Sequence, residues 1–190
     1  MDEPSVKGSV FQSVAGDLKQ LLDQGVVTGS DLESMLSDKD RGLLDSLVTA
    51  VAWVPIGSYC RMLEVLARFE GGNDPVAYYQ RRGADAAERL LSGTYASFDA
   101  EPGSWGEQVA KSMIRIAEML YNFTTWKVEP QGDGVFEVRA DDATDYPEVA
   151  RHTAHGFLQA FASKSASDPL LVTSERPRPD VVTFRITPAD

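Results

Sequence analysis

YPEVARHTAHGFLQAFAS, residues 146–163, carries a single apolar stripe at helical spacing. Val149, Thr153, Phe157 and Phe161 recur every fourth residue, and Ala150, Ala154, Gly156 and Ala160 fill in with small side chains. Residues four apart share a helix face, so the pattern predicts a buried helix with an aromatic-and-small face. Strand-like runs flank it. Residues 123–129 and 135–140 precede it, joined by Pro130-Gln131-Gly132-Asp133-Gly134. Residues 170–174 and 181–187 follow, joined by Glu175-Arg176-Pro177-Arg178-Pro179-Asp180. Turn-type residues between alternating runs signal hairpins, so the C-terminal part reads ββαββ. Trp126, Val128, Phe136, Val138, Val182, Phe184 and Ile186 are expected to face helices. Lys127, Glu129, Glu137, Arg139, Thr183 and Arg185 are expected to face water. Alternation alone leaves strand order open.

Upstream, the spacing is helical. Val10, Val14, Leu18, Leu21 and Leu22 form a stripe over residues 10–24, stopped by Gly25. Ser30-Asp31-Leu32-Glu33 has the capping-box form and opens a helix over 31–36. Asp38-Lys39-Asp40-Arg41 leads into 43–52, where Leu43, Leu44, Leu47, Val48 and Val51 are expected in the core. Pro55 marks the restart of a helix over 58–69, which ends at Gly71-Gly72. Asp74-Pro75 pairs an N-cap with a first-turn proline and starts a helix reaching residue 91. Gly83 weakens its middle by about 1 kcal/mol relative to alanine, which points to a bend or a close approach there. Ser104-Trp105-Gly106-Glu107 is a second capping-box pattern, opening a helix over 105–121. The fold class is therefore α+β, with a helical N-terminal half packed on a C-terminal ββαββ antiparallel sheet. The expected organisation is a loose tail at 1–5 and one domain over 6–190. Within it lie a helical subdomain at 6–92, a linker at 93–103 holding Tyr95, Phe98 and Pro102, and a helix-plus-ββαββ subdomain at 104–190.

The chain's 190 residues, 43% of them hydrophobic, suffice for a real core. Its 29 acidic and 18 basic residues leave a net charge of −11. That field repels phosphate backbones and anionic lipid and speaks against nucleic-acid and membrane-surface partners. No apolar run approaches the ~20 residues of a membrane span. The start, Met1-Asp2-Glu3-Pro4, lacks the basic-then-apolar layout of a signal peptide, so the chain reads as cytoplasmic.

The single cysteine, Cys60, allows neither an intramolecular disulfide nor a cysteine zinc cage. Arg61 beside it favours a reactive or acylated thiol, whereas its apolar-leaning helix favours a passive small side chain. No Gly-x-Ser-x-Gly elbow and no phosphate-binding loop occurs, and no serine pairs with His and Asp at a recognisable motif. His152 and His155, the only histidines, are three apart on one helix and could share a metal or one could hold haem, but a third protein ligand is missing. Met113, Ile116, Leu120, Trp126 and Phe157 are the candidate wall of a pocket for an apolar small molecule between the 105–121 helix and the sheet. The plain alternative for such a group is core. Trp53 and Tyr59 are candidate contacts of a homodimer.

Val6-Lys7-Gly8, Trp126, His155-Gly156-Phe157-Leu158 and Val181-Val182-Thr183-Phe184-Arg185-Ile186 sit in an arrangement that resembles one superfamily. It comprises the haem-NO-binding (H-NOX) domains, the vinyl-reductase-type domains and the Bet3-like TRAPP subunits. Within it the chain looks most like a family of uncharacterised myxobacterial proteins. The resemblance implies a non-enzymatic ligand-sensing or protein-interaction domain. The alternatives are a haem- or metal-dependent sensor acting through His152 or His155, and a small enzyme acting on a hydrophobic substrate. No cofactor is the leading expectation, with haem as the alternative. The haem branch pairs a proximal histidine followed by Tyr-Pro with a Tyr-x-Ser-x-Arg clamp. Here Tyr146-Pro147 precedes His152 and the clamp does not occur, so no functional residue carries over.

Overall fold

The computed structural model describes residues 3–93, 95–98, 101 and 103–189. Its first half holds β1 (Ser5–Lys7), α1 (Gly8–Asp23), α2 (Gly29–Met35), α3 (Asp38–Asp45), β2 (Trp53–Pro55), α4 (Ile56–Glu70) and α5 (Pro75–Ser92). The second half holds α6 (Glu107–Leu120), β3 (Thr125–Gly132), β4 (Val135–Asp141), α7 (Glu148–Ser165), β5 (Leu170–Arg178) and β6 (Val181–Pro188). The architecture is α+β, with strands β3 to β6 in one antiparallel sheet of order β3-β4-β6-β5. Among the described residues, no helix is long and apolar enough to cross a membrane.

Both hairpins are tighter than expected. The strands run on into the turn-type residues, leaving only Asp133-Gly134 and Pro179-Asp180 between them. Asp133 and Gly134 both take positive φ, 49° and 77°, as a type I′ turn requires. The register sets Val138 opposite Phe184 and Ala140 opposite Val182. Those four, with Trp126, Phe136 and Ile186, are buried as alternation demands. Thr183 departs from the water-facing expectation. It lies between Arg139 and Glu175 in register and is buried.

α7 starts and ends two residues later than the periodicity predicts. Val149, Thr153 and Phe161 are buried, and Phe157 is partly buried against the core. Its small residues have a definite purpose. A Cβ on Gly156 would overlap the Gln80 carbonyl of α5, and a Cβ on Gly83 would overlap the Thr153 carbonyl of α7. The two helices therefore meet backbone to backbone.

The helical half contains the corrections. The N-cap of α2 is Thr28, whose hydroxyl accepts from the Asp31 amide while Asp31 bonds back, so the capping box lies two residues before the expected Ser30. α6 begins at Glu107 behind Gly106 with no side-chain cap; Ser104 donates to the Glu101 carbonyl instead. The expected 43–52 helix is not formed. Ser37 caps α3, which ends at Asp45, and Leu47 and Val51 are 94% and 77% exposed. The β-branched residues Val48, Thr49, Val51 and Val54 favour extended backbone. The chain uses that preference to enter β2.

β2 pairs antiparallel with β1, Val6 opposite Val54. Val6 also bridges Tyr121, and Asn122 completes the clasp: its side-chain oxygen accepts from the Ser5 amide at 2.7 Å and its amide donates to the Ser5 carbonyl. β1 thus begins inside the expected 1–5 tail; Met1 and Asp2 lie outside the described residues. In the expected 93–103 linker, Ala96–Phe98 forms a single 3-10 turn, with Tyr95 and Phe98 packed on the core. Thr94, Asp99, Ala100 and Pro102 lie outside the described residues.

Candidate functional site

Met113, Ile116, Leu120, Trp126 and Phe157 come together around one internal cavity of about 50 Å³. α6 contributes Met113, Ile116 and Leu120 because its apolar residues fall at i, i+3 and i+7 on one face. β3 and β4 close one side with Trp126 and Val138, and α7 contributes Thr153, Ala154, Phe157 and Leu158. The helical half supplies Val10, Tyr59, Gly83, Ala86 and Leu90. The sequence reading missed those, although small residues at helical spacing on α5 were the available signal. At roughly 10–15 Å³ per enclosed water, the space suits three or four waters or a short alkyl chain.

Among the described residues, the wall carries no charged side chain, histidine or cysteine. Its polar atoms are mostly engaged. The Thr153 hydroxyl donates back to the Ala150 carbonyl at 2.9 Å, and the Trp126 indole N–H donates to Thr124 Oγ1 at 2.8 Å. Burial holds the Tyr59 phenol far above its ordinary range and pushes Tyr121 up to about 12. Tyr121 stacks on Trp126, with centroids 5.9 Å apart, and meets Tyr146 edge to face. Neither phenol ionises near neutrality. Cys60 is buried, and burial pushes its thiol up to about 12, so it is not a poised nucleophile.

Tyr59 is buried inside the protomer at 5% exposure, which overturns its assignment to a dimer contact. Trp53 is 44% exposed, with the Lys7 ammonium 3.6 Å from its ring centroid.

His152 and His155 are absent from the cavity wall. Their neighbours include Arg151 and β5: His155 Nδ1 lies 3.1 Å from Ser174 Oγ, and Arg151 donates to the same Oγ at 2.7 Å and to the Ser174 carbonyl. Arg151 also donates to Glu148, which in turn accepts from Arg176 at 2.7 Å. Arg176 continues to the Ala143 and Pro179 carbonyls. This network pins the start of α7 to the β5 side of the sheet. Burial first, then the Arg151 charge, lowers His152 below its usual value of 6.5; burial, His152 and Arg151 do the same for His155. Both are neutral at pH ~7. Among the described residues no three His, Cys, Asp or Glu side chains are grouped to hold a metal ion.

No protein-family model matches the chain, and no curated protein matches it. Solved structures do. A mutant of the T. Tengcongensis H-NOX matches with TM-score 0.63 and 13% identity, over 97% of this chain and 98% of that one. An Fe(II) unliganded H-NOX mutant from K. algicida matches with TM-score 0.64 and 11% identity, over 97% of each chain. An oxygen-binding H-NOX domain related to soluble guanylate cyclases matches with TM-score 0.61 and 12% identity, over 97% of this chain and 95% of that one. The chain has the H-NOX fold.

Proposed function

We propose that this chain is a non-catalytic sensory domain whose ligand, a small apolar molecule, occupies the cavity between α6, α7 and the sheet. One observation carries the reading: the wall is apolar and drawn from both halves of the fold, so filling it bears on both. Nothing on that wall offers a nucleophile or a base near neutrality, which argues against the small-enzyme alternative.

The fold neighbours favour the haem alternative, since they include an oxygen-binding H-NOX domain. The residues of this chain do not fit the group. Sites that enclose drug-sized ligands and cofactors run to roughly 300–1,000 Å³, against about 50 Å³ here, and α5 and α7 pass in close backbone approach at Gly83 and Gly156. The wall offers the iron only the Met113 thioether and buried, neutral phenols. His152 and His155 face Arg151 and Ser174 instead.

Titration of the purified protein decides between the two. The expected result is calorimetric binding of hexanol that is lost in Ala117→Leu, which fills the cavity, with no Soret-type band on adding haem. A Soret-type band lost in His152→Ala or His155→Ala establishes the haem reading instead.

Two finer points belong to the same proposal. The partner is a second copy of this chain meeting at Trp53, beside the exposed Val51 and Leu47. Light scattering is expected to give a particle of twice 20.7 kDa that falls to one copy in Trp53→Ala. Closer kinship with the vinyl-reductase-type, Bet3-like and myxobacterial branches, and a cytoplasmic location, rest on the sequence reading alone.

A further inference from the structure

A second cavity, of about 240 Å³, adjoins the apolar one. Its wall adds Ser9, Gln12, Ser13 and Arg89 to a lining that is otherwise apolar. Val10, Ala86 and Leu90 belong to both walls. The two spaces share these side chains, and Val10 and Leu90 are rotatable aliphatic groups.

The second chamber has hydrogen-bonding capacity to spare. Arg89 donates one guanidinium N–H to Ser13 Oγ at 3.1 Å and makes no ion pair among the described residues. Its other donors form a planar fork suited to a carboxylate. The net charge of −11 opposes an anion at long range. Arg89 is exposed, however, and at physiological salt distant charges are screened beyond about 8 Å, so the adjacent guanidinium dominates.

We infer that the two chambers form one site for an anionic amphiphile, a short- to medium-chain carboxylate. Its head is held by Arg89, and its alkyl chain passes between Val10 and Leu90 into the apolar cavity. This rests on the proposed ligand-binding role of that cavity and adds the chemical class of the ligand. No covalent step is involved. The geometry sets a hierarchy: a carboxylate with a chain binds best, the matching alcohol retains only the tail contacts, and acetate only the head contacts.

Calorimetric titrations of the full chain with hexanoate, hexanol and acetate test it. Hexanoate is expected to bind about tenfold tighter than hexanol, the size of one charge-assisted hydrogen-bond pair. Arg89→Gln is expected to abolish that advantage while leaving hexanol binding unchanged. Arg89 lies on the surface, so the variant is expected to keep the parent's denaturation midpoint. Equal affinities for hexanoate and hexanol, both indifferent to Arg89→Gln, overturn the head-group assignment and leave the apolar-ligand reading standing. Absence of binding by hexanol and hexanoate alike overturns both.

Discussion

Gly156→Ala is expected to destabilise the protein by about 3 kcal/mol, the upper end of what overpacking costs when the obstructing atoms are backbone. Intrinsic propensity gives the opposite sign, because alanine is better than glycine inside a helix by about 1 kcal/mol. The reversal comes from packing. The new methyl would overlap the Gln80 carbonyl, and no side-chain rotation on either helix relieves it. Gly83→Ala is expected to behave the same way, through the Thr153 carbonyl and the Phe157 amide nitrogen. Gly16 in α1 is the control. A Cβ there meets nothing within 4 Å, so Gly16→Ala is expected to stabilise by about 0.5–1 kcal/mol. Urea midpoints of the three variants check the signs. A Gly156→Ala protein as stable as its parent would show that α5 and α7 are not in backbone contact.

Asp40→Ala is expected to cost about 3 kcal/mol, the low end for breaking an ion pair at a buried carboxylate, because Arg61 keeps 43% exposure and can turn to solvent. Asp40 itself has no accessible side chain. Its two oxygens accept from Arg61 at 2.7 and 2.8 Å, and Oδ2 also takes the Ser37 hydroxyl and amide that cap α3. Burial alone would raise this carboxyl. The bonds from Arg61, Ser37 and Ser58 outweigh it and hold the group well below the usual 3.8. The folded state therefore binds the proton less readily than the unfolded chain. Its stabilisation is present above pH 3.8 and is lost as pH falls below that value. Denaturation of the parent and Asp40→Asn at several pH values is expected to show a gap near neutrality that narrows in acid. A gap independent of pH would mean that the carboxylate's charge contributes nothing.

The ββαββ order was legible because hairpins and strand alternation are local. Phe184 needed no knowledge of the fold to be placed on the buried face. Strand order was not, since seating β6 between β4 and β5 is a contact between distant segments. Leu47 and Val51 mimic a helical stripe, and only the pairing of β1 with β2 reveals that the chain leaves the helix before them. Three-residue strands such as β1 leave no period to detect. At the candidate site, the α6 face and Trp126 were readable as a group. Arg89 was not, since it is an ordinary surface cation until α1 and α5 are set side by side.

The clasp of β1 has a bearing on biosynthesis. Ser5 leaves the ribosome before its partner Asn122, which is made 117 residues later. That strand must therefore wait, and the seam it closes is sewn only once Asn122 has emerged.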